Sequence, residues 1–321
     1  MKQNQFEAQH ALLWEQIDAI LQGGGEPAAL PRAYRRLCLC LALAGQRGYS
    51  PALVDYLQRM VSDCHQRLYG CAAERPAGLL RLIGVDFPRR VRSEWRLLLL
   101  AALALWGVAL GVGLLVWFQP EWLYSFSSTA ELASYKAMYQ PGRMHLGRNQ
   151  ESDVLMFGFY VWNNVSICFR TFAGGMVGGL PALLSLVFNG MHMGLIASWL
   201  SREAGTRQTF WPFVITHSSF EITGLMLSGM AGLRLGLALI HPGRLGRRQA
   251  LHGASQAMYP VLVGAALMTV LAAFFEAFWS SAGAVPAPFK YAVGAVCWLL
   301  VIGFFTLAGR ERRGAPQHAA R

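Results

Sequence analysis

The sequence predicts an all-α, polytopic membrane protein, with about six transmembrane helices and a small N-terminal cytoplasmic helical bundle. Three observations carry that prediction. Only 14% of the 321 residues are charged while 54% are hydrophobic, against about 25% charged in an ordinary soluble domain, and mean hydropathy is +0.34. From Leu97 onward, apolar runs recur that are long enough to cross roughly 30 Å of hydrocarbon at about 1.5 Å per helical residue. The 34 glycines and 10 tryptophans suit helices that approach closely in lipid and aromatic rings that settle at its surface. Together these exclude a disordered or collagen-like chain and argue against a soluble enzyme.

The net charge of +11 would suit a phosphate backbone, yet lysine and arginine also accumulate in the cytoplasmic loops of membrane proteins. Position decides between the two. Residues 1–96 hold 13 basic and 9 acidic residues, 233–255 hold four arginines and no acid, and 309–321 hold four arginines against one acid, so these segments carry 21 of the 28 positive charges. The bilayer is the expected partner, and no nucleic acid is expected.

Taken in order, residues 1–94 form the expected cytoplasmic domain. The opening MKQNQFEAQHALLWEQIDAILQ lacks the apolar core of a signal peptide and reads as an amphipathic helix. Gly23, Gly24, Gly25 and Pro27 break it, and helical patterns resume over 31–45 and 51–69. Residues 75–96, with Arg75, Arg81, Arg89, Arg90, Arg92 and Arg96, form a basic juxtamembrane stretch that meets anionic headgroups or simply faces water. Cys38, Cys40, Cys64 and Cys71 are expected to stay reduced in the cytoplasm. Cys38 and Cys40 would point about 200° apart on a helix, poor geometry for zinc.

Residues 95–308 form the expected transmembrane domain, with spans near 97–118, 154–174, 178–200, 210–231, 258–279 and 289–307. The loop 119–153, with a surface helix at 130–138, and the short loops 201–209 and 280–287 fall on the outer side. The arginine-rich segments after the fourth and sixth spans, including the basic tail 309–321, return to the cytoplasm with the N-terminus. The second span is the weakest, because Asn163, Asn164 and Arg170 allow a re-entrant path. Arg170 falls at the inner end and can snorkel toward headgroups.

A charge at the centre of a bilayer costs about 2.5–3.5 kcal/mol on insertion scales, so each polar group in a span asks for a partner. His217 and Glu221, in THSSFE, share a helical face at i and i+4. His192 stands beside Asn189 in NGMHMG, Asn163 and Asn164 are in the second span, and Glu276 is in FFEAFW. Counting inward from the outer ends puts Asn163, His192, His217 and Glu276 at about 15, 12, 10 and 6 Å. All four therefore fall in the outer half of the membrane. His192, His217, Glu221 and Glu276 have the ligand types of a divalent metal such as zinc, and Asn163, Asn164 and Asn189 would complete a polar pocket. Water on an open metal position could be activated for hydrolysis. The same residues also suit plain interhelical hydrogen bonding. Gly174 with Gly178, and Gly190 with Gly194, are small-residue pairs that permit close helix packing.

The ordered run VWNN, FAGG, GLPALLSLVFNGMHMG, FWPF, THSSFE, GMAGLRLG, HPGR and FFEAFW resembles the stage II sporulation protein M family over roughly residues 95–308. Asn164, Asn189, Gly190, His217, Glu221 and Glu276 match its pattern, while Ser218 and Ile222 stand where that pattern has glycine and leucine. The resemblance implies an integral membrane organiser that anchors an envelope-associated complex, with envelope proteins and a cytoplasmic ATPase as partners and residues 1–94 as the docking surface. A homodimer in the bacterial cytoplasmic (inner) membrane, with both termini cytoplasmic, is the expected form. A metal-dependent membrane hydrolase is the alternative. A small-solute or lipid transporter ranks third, because the inner half of the spans holds few polar residues besides Arg170.

Overall fold

The computed structural model describes residues 2–24, 26–69, 78–148 and 152–310. Gly25, Cys71, Arg75 and the tail beyond Arg310 lie outside the described residues. The chain divides into two compact units, Met1–Gly78 and Leu79–Arg321.

The first unit contains α1 (Gln3–Leu21), α2 (Leu30–Gln46) and α3 (Pro51–Tyr69). Apolar residues recur at helical spacing on one face of each helix. Phe6, Leu13 and Ile17 of α1, Leu37 and Cys40 of α2, and Leu57 and Cys64 of α3 meet in one core. Gly48 at φ +64° turns the chain between α2 and α3, a backbone that a residue without Cβ adopts without strain. Ser50 ties that turn to the start of α1: its N–H donates to Gln3 Oε1 at 3.0 Å, and Gln3 Nε2 donates to its Oγ at 2.9 Å.

The second unit begins with a short helical stretch that leads into α4 (Phe87–Ser93). Part of the basic segment is thereby packed inward. Phe87 and Val91 are buried with the bundle core, the Phe87 ring lies 5.2 Å from that of Phe305, and Arg92 donates to the Phe305 carbonyl at 2.8 Å. There follow α5 (Trp95–Phe118), α6 (Thr129–Met138), α7 (Asp153–Ala173), α8 (Leu180–Ser201), α9 (Ala204–Ile240), α10 (Arg247–Ser280) and α11 (Ala287–Leu307). Five of these, α5 and α8–α11, are long and apolar enough to cross a membrane. The asparagine-bearing α7 is not among the five.

The long helices outrun the apolar windows in the sequence. α9 spans 37 residues where the hydropathy pattern marks 210–231, and the expected loop 201–209 shrinks to a break at Arg202 and Glu203. Polar residues such as Arg207, Gln208, Arg247 and Arg248 are good or neutral helix formers, so helices continue past the point where hydropathy ends.

α9 is the central element, and its small residues admit a neighbour on each side. A Cβ on Gly224 would come 2.8 Å from Thr269 Oγ1 of α10, and one on Gly232 would come 2.9 Å from the Thr171 carbonyl of α7. On α8, a Cβ on Gly190 or Gly194 would clash with the carbonyls of Leu105 and Ala109 on α5. Gly174 packs similarly: a Cβ there would come 2.8 Å from the Ala182 nitrogen. Gly178, at φ +74°, serves the turn between α7 and α8.

The helices α5 and α7–α11 alternate between two ends of the unit. At one end Glu94 accepts from Arg234 at 3.0 Å. At the other end the segment after α6 forms a lid. Tyr139 packs its ring on Phe210 and Phe213 at 5.2 and 5.4 Å. The Leu146 N–H donates to the Ser281 carbonyl at 2.9 Å, and the Gly283 N–H to the Met144 carbonyl at 2.8 Å. The buried Arg148 side chain reaches down to Asp153 and His145.

Candidate functional site

Beneath the lid, α9 and α10 bring three of the expected ligands together. One donor atom from each of His217, Glu221 and Glu276 lies within 4.8 Å of the other two. His217 and Glu221 stand one turn apart on α9, with Nε2 and Oε2 3.9 Å apart. Glu276 comes from a π-helical turn, Phe275–Ser280, that ends α10. Such wide turns insert a residue into the helical register and often mark functional sites. This one also supplies Ser280, whose Oγ lies 3.0 Å from His217 Nδ1. When Nδ1–H donates to that oxygen, the Nε2 lone pair points toward the carboxylates, the arrangement that orients a metal-binding imidazole. Ser280 is itself held from below: buried Lys290, on α11, donates to its carbonyl at 2.7 Å.

Polar atoms around the cluster are left without partners. One carboxylate oxygen of Glu276, the Tyr160 hydroxyl and the Asn164 Nδ2 are enclosed and make no hydrogen bond among the described residues. Tyr160 and Asn164 are one turn apart on α7 and buried. Tyr160 packs with Ala273 and Ala277, which flank Glu276 on α10. A buried polar group without a partner costs about 1–3 kcal/mol, so these orphaned atoms mark a place where a polar guest would be favourable.

The other expected site residues lie elsewhere. His192 stands outside the three-residue cluster: its Nε2 is 3.2 Å from the Tyr135 hydroxyl of α6. It does line the same cleft as His217 and Glu221. Asn189 donates to the Ser185 carbonyl of its own helix at 2.8 Å, so its amide is spent on local backbone. Asn163 donates to Asn164 Oδ1 at 2.8 Å and is not among the cleft-lining residues.

The cleft is a cavity of about 800 Å³ on the flank of the unit. Its walls come from α5 (Trp106, Leu110, Leu114, Trp117), α8 (His192, Met193, Ala197), α9 (Trp211, His217, Ser218, Glu221) and Trp298 of α11. Apolar side chains dominate it, and the His217–Glu221 pair forms a polar spot in its wall.

Sequence reasoning missed Ser280, Lys290 and Tyr160. A lysine inside an apolar run, and a tyrosine four residues before Asn164, were the available signals. No pattern in the sequence marks the Ser280 contact, because it depends on the π-helical turn.

Comparison with known proteins agrees with this architecture. Residues 4–70 match a domain of unknown function. An uncharacterized protein of Methanocaldococcus jannaschii is 27% identical over 73 residues, which is 23% of this chain and 41% of that protein. The match thus spans about two fifths of that relative's length. No solved structure matches. Residues 97–281, more than half of the chain and the part that carries the cluster, match stage II sporulation protein M. The chain is a membrane protein that belongs to the stage II sporulation protein M family.

Proposed function

We propose that the membrane unit binds a divalent cation at His217, Glu221 and Glu276. The supporting observation is the approach of their three donor atoms to within 4.8 Å. Two ligands at zinc bond lengths of about 2.0–2.2 Å stand at most about 4.4 Å apart, so a small side-chain shift would close the site. One imidazole nitrogen and two carboxylate oxygens suit zinc or a similar ion. Two carboxylates also balance a double positive charge, which matters where charge is poorly solvated. An ion held there would act as a Lewis acid on an oxygen ligand entering from the cleft.

Elemental analysis of the full-length protein purified in detergent tests this reading. Stoichiometric divalent metal is expected, reduced at least tenfold in His217→Ala and in Glu276→Gln. Metal content that neither substitution changes would overturn it.

A second reading concerns the whole chain: an integral membrane organiser that anchors an envelope-associated complex through its N-terminal unit. It is supported by the separate compactness of Met1–Gly78 and by its own family match over residues 4–70. The arginine-rich end of the membrane unit, with Arg89, Arg92, Arg234 and Arg244, favours the cytoplasmic side of an inner membrane, so the partner would be a cytoplasmic protein such as an ATPase. Deleting residues 1–78 should abolish partner recovery in a pull-down and leave membrane insertion intact. Undiminished recovery would remove this reading.

A further inference from the structure

The flank cleft is built to receive more than solvent. Its walls belong to α5, α8, α9 and α11, all of them helices long and apolar enough to cross a membrane, so the medium at its mouth is lipid. Leu110 and Leu114 are 64% and 57% exposed within it. Its volume, about 800 Å³, lies within the roughly 300–1,000 Å³ of ordinary small-molecule sites. A purely apolar occupant, such as a transmembrane helix of a second copy, would leave His192, Ser218, His217 and Glu221 facing hydrocarbon. An occupant with both a long apolar part and a few oxygen acceptors satisfies the whole wall.

The level of the polar spot narrows the class of occupant. At the lid end of the cleft, Trp211 donates to Ser201 Oγ at 2.9 Å, and the Arg202 guanidinium lies 5.8 Å from the Trp117 ring centroid while donating to the Trp117 carbonyl at 2.9 Å. Tryptophan and arginine in this arrangement mark the headgroup level. His217 follows Trp211 by six residues, which places it about 9 Å deeper along α9. The headgroup region is about 5–7 Å thick on each side of the hydrocarbon, so His217 stands just inside its inner boundary, and Glu221, one turn deeper on α9, has its carboxylate 3.9 Å from the His217 ring nitrogen. The groups found there in a glycerolipid are the ester linkages between glycerol and chain. Below that level the cleft continues to Trp106 and Trp298, whose rings meet at 6.3 Å and close its floor.

We propose that the cleft seats an ester-linked membrane lipid, with an acyl chain running along α5 toward Trp106 and Trp298 and an ester carbonyl facing His217 and Glu221. The proposal rests on the cation reading, because a cation at the cluster would take the carbonyl oxygen as a ligand on its cleft side. His192 and Ser218 offer further polar contacts to the glycerol oxygens.

The test uses full-length protein in phosphatidylglycerol nanodiscs with a phosphatidylglycerol probe that carries a diazirine on one acyl chain. After photolysis, mass spectrometry compares adducts at Met193, in the cleft, with those at Leu299, which is 69% exposed and not among the cleft-lining residues. Several-fold excess labelling at Met193 is expected, lost in Ala197→Phe, which fills the cleft. Unlabelled ester-linked phosphatidylglycerol should compete several-fold better than its ether-linked analogue, and Glu221→Gln should erase that difference while Met193 labelling persists. Equal labelling at the two residues, or equal competition by ester and ether lipids, would each overturn the proposal. Should Ala197→Phe fail to fold, by gel filtration, Leu114→Trp fills the same cleft from α5. Metal analysis of the same samples separates the two readings: an ester preference without bound metal removes the cation reading alone, and bound metal without an ester preference removes the lipid seat alone.

Discussion

Buried Cys64 and exposed polar residues on the same helix show how far a single side chain's surroundings set its chemistry. Burial, followed by the neighbouring Asp63 carboxylate, pushes the Cys64 thiol up to about 11 from its ordinary 9.0. A thiol reacts as the thiolate, so Cys64 should resist iodoacetamide at neutral pH until the N-terminal unit unfolds, while half-buried Cys38 is modified first. Peptide mass spectrometry over a time course checks this order. The linkage has a definite sign: between pH 9 and 11 the unfolded chain loses a proton that the folded unit keeps, so this group lowers stability as pH rises through that window. Legibility at this scale was mixed. His217, Glu221 and Glu276 stood out because ionisable groups in apolar runs are expensive. His192 carried the same signal, but its imidazole is placed beside Tyr135 of α6, a contact set by a loop whose path hydropathy does not encode.

Two helices pack closely only where both surfaces allow it, and α5 and α8 show the rule in a form that can be measured. Replacing Gly190 by leucine would drive a side chain into the Leu105 carbonyl and should cost at least about 1–3 kcal/mol, read as a lower thermal midpoint in detergent. Gly111→Leu, on the same α5 but with open space at its Cβ position, should leave the midpoint nearly unchanged. The small-residue spacing of Gly190 and Gly194 marked a close-packing face in the sequence, while the partner, α5, comes from the structure. Helix lengths were less visible. The apolar windows located the cores of α5 and α8–α11, but α9 and α10 extend through polar turns because helix formation follows backbone propensity and capping rather than immersion in lipid. The π-helical turn at Phe275–Ser280 was hidden altogether, since one inserted residue leaves no mark on hydrophobic periodicity.

Across the whole molecule, the alternation of helices between a lidded end and an arginine-rich end leads to a topological expectation. Cysteines introduced at Met144, which is 81% exposed, and at Arg244 should label from opposite faces of sealed vesicles with a membrane-impermeant maleimide. Labelling from one face would contradict the alternation. The division into two classes of sequence, a charged N-terminal part and an apolar remainder, was legible from composition. The boundary at Gly78 was less so, because the basic stretch after it hides the apolar residues Phe87 and Val91 that belong to the bundle core. The lid has a kinetic implication. Its backbone is pinned to residues 281–283 by two hydrogen bonds, and Tyr139 is wedged among Phe210 and Phe213. With a lipid filling the cleft, an ion seated below would therefore reach water when that segment lifts, so a soluble chelator should strip it over hours, with a rate set by lid opening and independent of chelator concentration.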